Sequence, residues 1–385
     1  MRCQSRRRKE PVVTDGITWV GLDVHKKSVN VAMLLPGEKT SVEWELENTD
    51  RALRRLKRRL VEAAPGEIRC CYEAGPCGYV IQRQLMKDNK ARIICEVVAP
   101  ALIPVKPGDR IKTDRRDARK LAGLLRAGLL TEVCPPTEDE EAVRDLVRCR
   151  EDATEDLLRA RHRLGKYLLR RGLVHGPKQK AWTARHRLWL RGLRLERPAD
   201  QAVFDDYLLA IENLESRLET LEARLKTIAE QAPYAEPLGW LRCFRGIDTI
   251  TAMTILAEIH DFRRFQTPRG FMAYLGLTPS ENSSGGSRRL GSITRMGNRH
   301  VRRIMVQSAW QYRHRPGVSR KLKQRREGQP AHVIALAEKA QQRLCRRFRT
   351  MTERGKPVNK SVVAIARELA GFIWVALHNY NMRTV

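Results

Sequence analysis

Three short pieces near the start of the chain, 17–22, 29–35 and 41–46, alternate apolar and polar residues, the period of a half-buried strand. Pro36-Gly37 places a turn between the second and the third. The period then lengthens, and from Thr49-Asp50 onward Leu53, Leu56 and Leu60 fall on one helical face. A strand at 67–72, a helix near 79–86, a strand at 92–98 and a helix opened by Thr113-Asp114 complete the series. The predicted order β-β-β-α-β-α-β-α is that of a mixed sheet with helices on its faces.

Pro135-Pro136-Thr137 marks a boundary, beyond which the pattern is helical and highly charged. From Tyr207 the apolar residues Ile211, Leu214, Leu218, Leu221, Leu225 and Ile228 alternate steps of four and three, a heptad seam. An earlier helix carrying Leu157, Ala160, Leu164 and Leu168 offers a partner within the chain. Pairing between two chains is the alternative, and it would make the seam a dimerisation device. Between them, 178–193 interleaves Trp182 and Trp189 with Lys180, Arg185, His186, Arg187 and Arg191. That stretch is either a stacking platform for unpaired bases or a helix that buries both tryptophans on one face.

After Pro233, the run from Arg245-Gly246-Ile247-Asp248 to Thr251 reads as a tight turn opening an apolar helix. It resembles the hairpin of helix-hairpin-helix modules, where backbone N–H groups hold a phosphate. A Ser-Gly stretch follows, from Gly276-Leu277-Thr278-Pro279 through Ser283-Ser284-Gly285-Gly286 to Arg289, and Gly291–Asn298 leads into a helix from Arg299. Taken alone it is a linker or a loop able to set a hydroxyl against a phosphate. Patterned apolar segments enclose it. The chain ends in basic helices, the last of them, 362–377, too short for a membrane span and interrupted by Arg367 and Glu368.

Composition narrows the partner. The 385 residues allow two or three domains, and a 42% hydrophobic content suffices for real cores. A formal net charge of +30, spread along the whole chain, is the electrostatic footprint of a protein that lies along a polyanion. With no apolar run of about 18 residues and no signal-peptide pattern, nucleic acid is favoured over anionic membrane. Nine cysteines without a C-x-x-C pair, and nine histidines without H-x-x-x-H spacing, describe a reduced, intracellular, non-zinc protein.

Chemistry concentrates at Lys112-Thr113-Asp114-Arg115-Arg116-Asp117-Ala118. Asp114 and Asp117 stand three apart and share a helical face, about 5–6 Å between Cβ atoms. Asp23 closes the first strand in Gly21-Leu22-Asp23, and Glu73 closes the fourth in Tyr72-Glu73-Ala74-Gly75. Asp114 and Asp117 alone would be equally at home in a capped, solvated helix start. Carboxylates at two strand ends and a helix start in a cationic chain point to divalent metals acting on phosphates. A non-catalytic binder fits poorly, because four carboxylates repel phosphate unless metals intervene. A site of this kind needs no histidine base, and the sequence shows no evident one.

Together these blocks, with Gly276-Leu277-Thr278-Pro279 and Ser283-Ser284-Gly285, resemble the DEDD transposases of bacterial insertion sequences, specifically the insertion-sequence 110 family. The resemblance runs from about Ile17 to Leu377. It implies an α/β RNase H/RuvC-like domain in which Asp23, Glu73, Asp114 and Asp117 are catalytic and hold two Mg²⁺ or Mn²⁺ ions. It also implies a helical coiled-coil spacer and a mostly helical domain contributing a serine nucleophile. That serine maps to Ser284, directly before Gly285, with Ser283 the neighbouring candidate.

The expected organisation is a disordered basic arm at 1–16, the catalytic domain at 17–133, the spacer at 134–232, the serine-bearing domain at 233–315 and a basic helical tail at 316–385. Arg115, Arg116, Gly246, Arg288, Arg289 and Arg295 are the expected nucleic-acid contacts. Family members are DNA recombinases directed by a structured RNA from their own element, so the expected partners are DNA, a guide RNA and further copies of the chain, as a dimer or tetramer. The expected location is the bacterial cytoplasm, on the nucleoid. The competing reading is a RuvC-like, structure-specific metal nuclease that makes no covalent intermediate.

Overall fold

The computed structural model describes residues 16–87, 92–105, 113–176, 180–283, 287 and 289–380. The chain forms two compact units, Met1–Pro135 and Pro136–Val385. Apart from Gly16, the expected basic arm lies outside the described residues.

In the first unit the alternating pieces become β1 (Thr18–Val24), β2 (Ser28–Leu34) and β3 (Val42–Glu47), followed by α1 (Asp50–Ala63). Then come β4 (Ile68–Glu73), α2 (Val80–Met86), β5 (Ile93–Val98), α3 (Asp114–Arg126) and β6 (Glu132–Val133). The strands lie in the order β3-β2-β1-β4-β5-β6, with β1, β4 and β5 parallel and the remaining pairings antiparallel. Leu53, Leu56 and Leu60 of α1, with Ile81 and Leu85 of α2, pack on Val20, Leu22, Cys70 and Tyr72. On the opposite face Leu121, Ala122 and Leu125 of α3 cover Trp19, Cys71 and Val98. Strand β6 was not foreseen, since two residues are too few to display a period.

The second unit opens with α4 (Glu138–Arg170), begun by a capping box in which Thr137 and Glu140 satisfy each other's backbone N–H groups. It continues through α5 (Ala184–Gly192) to α6 (Pro198–Ala229), which returns alongside α4. Leu157, Leu164 and Leu168 pack with Phe204 and Ile211, and Val147 packs with Leu225. Ion pairs Arg150–Glu222, Arg161–Glu215 and Arg171–Asp200 fix the antiparallel register. Within the chain, the heptad seam thus packs against α4. Trp182 and Trp189 join His175 and His186 in a ring cluster against the same small core, with Arg161 over Trp182 at 4.7 Å. Both tryptophans are partly buried in this cluster, but only Trp189 lies on α5; Trp182 precedes it in the left-handed region at φ 64, so a single helix burying both on one face is not what forms.

Beyond α6 lie α7 (Ala235–Arg242), α8 (Thr249–Ile259), α9 (Pro268–Tyr274), the two-stranded ribbon β7 (Pro279–Glu281) and β8 (Leu290–Ile293), and α10 (Arg299–Ala309). Three more helices follow, α11 (Arg320–Arg326), α12 (Ala331–Glu353) and α13 (Val358–Leu377). Val333, Leu344, Ile365 and Leu369 share one core with Phe244, Leu256, Phe271 and Tyr312. The line expected at 315/316 accordingly runs through a single core. Among the described residues no helix is long and apolar enough to cross a membrane.

Candidate active site

Glycine at position 21 brings the first unit's acidic residues together. A Cβ there would lie 2.0 Å from Ala118 O and 2.5 Å from Ala122 N, so only hydrogen lets α3 settle against β1 at this depth. Thr113 caps α3, its hydroxyl accepting from Arg116 N, and this sets Asp114 and Asp117 in the first turn, where carboxylates also favour the helix dipole. Alternate residues of a strand share a face, so Asp23 is in step with Trp19 and Gly21, and Glu73 with Cys71. Because Leu22 pairs with Tyr72, Asp23 and Glu73 are the next step on adjacent parallel strands. All four carboxylates belong to one end of the sheet face that α3 covers.

Within that group the structure draws Asp23 and Asp114 together and adds a residue the sequence reading passed over. His25 Nε2 lies 3.1 Å from Asp23 Oδ2 and 3.6 Å from Asp114 Oδ1. Ligand atoms of Asp23, His25 and Asp114 all fall within 4.8 Å of one another, a donor set that fits a divalent cation. The carboxylates of Glu73 and Asp117 stand outside this group. Burial pushes the Asp23 carboxyl above its ordinary value; the hydrogen bond and charge of His25 oppose the shift, and the charges of Asp114 and Asp117 add to it. Arg115 and Arg116 are exposed on the first turn of α3. The signal for His25 was its place two residues beyond Asp23, where strand alternation returns a side chain to the same side.

In the second unit the Ser-Gly stretch lies in sequence between β7 and β8. Ser284, Gly285, Gly286 and Arg288 lie outside the described residues. Ser283 is committed to the loop: its hydroxyl donates to Glu281 Oε1 at 2.9 Å and accepts from Arg289 N at 3.2 Å. Two glycines in the left-handed region stitch the ribbon's base. A Cβ on Gly276 would meet Met296 O at 2.3 Å, and one on Gly297 would meet Tyr274 O at 1.9 Å. Arg289 and Arg295 are exposed beside the ribbon.

Glu258 also escaped the sequence reading, although it is a single carboxylate inside an apolar helix. It is buried and bonded by Arg148 of α4 and by Asn298, the cap of α10. Burial would raise it, yet the hydrogen bonds from Arg148 and Asn298 hold it below the usual carboxylate value. It ties the ribbon's exit to α8 and α4. Gly246 occupies the turn between α7 and α8 at φ +83, and Asp248 caps α8 by accepting from Thr251 N at 2.8 Å. One of the N–H groups suggested for phosphate is therefore already taken by a carboxylate.

Sheet order and the placement of acidic residues define the class, a DEDD-type domain with RNase H-like topology joined to a helical unit. The chain belongs to the transposase IS116/IS110/IS902 family, whose profile matches residues 240–324. A second transposase profile, of the DEDD insertion-sequence 110 type, matches 20–171. The chain is 40% identical over 371 residues to the putative transposase y4qE of Sinorhizobium fredii, covering 95% of this chain and 90% of the relative. It is 38% identical over 353 residues to the transposase for insertion sequence element IS1533 of Leptospira borgpetersenii, covering 89% and 99%. It is a transposase, an enzyme that acts on DNA.

Proposed function

We propose that this transposase cuts and rejoins DNA strands of an insertion sequence through a phosphoserine ester, with Asp23, Glu73, Asp114 and Asp117 holding Mg²⁺ or Mn²⁺ and Ser284 as nucleophile. The observation that carries the metal half is the convergence of the Asp23, His25 and Asp114 donor atoms within 4.8 Å, at the end of the two central strands. When bound, a pair of such ions stabilises the attacking and leaving oxygens of an in-line displacement. The chain's own residues supply position: Gly21 sets the depth of α3, Thr113 fixes its first turn, and the sheet aligns Asp23 with Glu73.

For the serine, the engagement of the Ser283 hydroxyl by Glu281 and Arg289 N argues against Ser283 and favours its neighbour Ser284. The Ser284 oxygen forms a bond to phosphorus as the strand's own P–O bond breaks, and a hydroxyl of the joining strand reverses the exchange. The bond energy is conserved, which separates recombination from hydrolysis. Arg288 and Arg289 flank the loop for phosphate contact. A structured RNA from the element chooses the DNA partners, and more than one copy of the chain assembles on them; both follow from the family resemblance.

The test incubates the protein with its element-derived RNA, Mg²⁺ and labelled DNA, then quenches in denaturant. Label should migrate with the protein, vanish in Ser284→Ala and remain in Ser283→Ala. Loss only in Ser283→Ala would move the nucleophile by one residue. Free cleaved strands with both variants active would make this a metal nuclease without a covalent step.

A further inference from the structure

We propose that His25 is a metal ligand, its Nε2 completing with the Asp23 and Asp114 carboxylates a nitrogen-containing donor set for one divalent cation. The inference rests on the metal-site reading above and adds a ligand to the acidic four.

One ring nitrogen faces both carboxylates, at 3.1 Å and 3.6 Å, so a cation entering between the two aspartates meets imidazole as well as oxygen. That nitrogen is held by its backbone from two sides. His25 N–H donates to Ser28 O at 2.9 Å, closing the β1–β2 hairpin. His25 C=O accepts from Asn48 Nδ2 at 2.8 Å, and Asn48 N–H in turn donates to Lys27 O. The turn is thus clamped by the segment that leads into α1, and the ring is delivered to a fixed place beside Asp23.

The donor set alters which ion the site prefers. Mg²⁺ and Ca²⁺ favour all-oxygen cages, whereas first-row transition ions accept imidazole readily. A site of two carboxylates and one imidazole discriminates in favour of Mn²⁺ over Ca²⁺ and Mg²⁺ more strongly than carboxylates alone. The rival role for His25 is a counter-ion that rests on the carboxylates and leaves when the cation arrives. It predicts no nitrogen on the metal.

The full-length protein is loaded with Mn²⁺, and pulsed electron paramagnetic resonance reads whether an imidazole ¹⁴N couples to the ion. Wild type should show the coupling and His25→Gln should lose it. Mn²⁺ affinity measured by titration calorimetry should fall about ten- to a hundredfold in the variant, at least what losing an orienting partner costs, and the preference for Mn²⁺ over Mg²⁺ should narrow. The His25 side chain is half exposed, so an unchanged thermal midpoint for metal-free His25→Gln serves as the folding control. A coupling absent from wild type, or persisting in His25→Gln, while Asp23→Asn and Asp114→Asn still abolish binding, overturns imidazole ligation and leaves the carboxylate site standing. Mn²⁺ binding that survives both aspartate changes removes the site itself, and the inference with it.

Discussion

Gly21 and Gly123 bracket what a single methyl group does in this fold. At Gly21 a Cβ would collide with the backbone of α3, whereas at Gly123, within α3, it would meet nothing within 4 Å. Gly21→Ala should therefore cost about 1–3 kcal/mol by overpacking, and lower Mn²⁺ affinity as α3 moves away from Asp23. Gly123→Ala should add up to about 1 kcal/mol of helix propensity and leave metal binding alone; urea unfolding with calorimetry checks both. Asp23 carries a pH signature. Its folded value is raised, so its contribution to stability is complete below its unfolded value of 3.8 and is lost as pH rises through the folded one. Metal-free wild type should lose stability over that rise relative to Asp23→Asn, and saturating Mg²⁺ should cancel the difference. Asn at Asp114 or Asp117 should abolish strand cleavage while DNA affinity stays equal or rises. Asp23, Glu73, Asp114 and Asp117 could be picked out as candidates because each stands at the end of a recognisable strand or the start of a capped helix; that only Asp23 and Asp114 of the four join the close donor group was not readable. His25 was harder to read, because it lies one residue past the end of β1 and only its two-residue step from Asp23 pointed to it. Glu258 was hidden inside an apolar helix, and its meaning depends on Arg148 and Asn298, distant in sequence.

At the scale of elements, strands and long helices could be read because their side-chain periods persist over several residues. Partner choice could not. The Tyr207–Ile228 seam looks the same in sequence whether it meets another chain or α4, and the cross-links Arg150–Glu222 and Arg161–Glu215 show the partner it has within the chain. Leu225 is fully buried on that seam beside Val147 and Ala257, so Leu225→Ala should cost about 2–5 kcal/mol. Light scattering of the folded variant should give an unchanged mass, because the seam's loss is internal. A drop in mass at unchanged thermal stability would return the seam to an interchain role. The ribbon β7–β8 was read as a Ser-Gly loop, since three- and four-residue strands are shorter than any reliable alternation. Its base is legible only in hindsight, through the left-handed glycines Gly276 and Gly297.

Across the whole molecule the +30 charge should dominate encounter with DNA. Each neutralised phosphate contributes about 0.9 to the log–log salt slope on duplex DNA. Binding measured between low and physiological salt should show a slope of several units, with Arg115→Ala or Arg295→Ala removing no more than about one. A slope near zero would place the charge elsewhere than at the DNA. The long helix pair has a different consequence. The 33 residues of α4 span about 50 Å, with one end fastened to α8 through Arg148 and Glu258 and the other ending in the His175–Trp189 ring cluster. Such a pair behaves as a caliper. Removing one heptad from both helices keeps every facing contact in phase yet shortens the span by about 10 Å, so reach can change between relatives without refolding the core at its root.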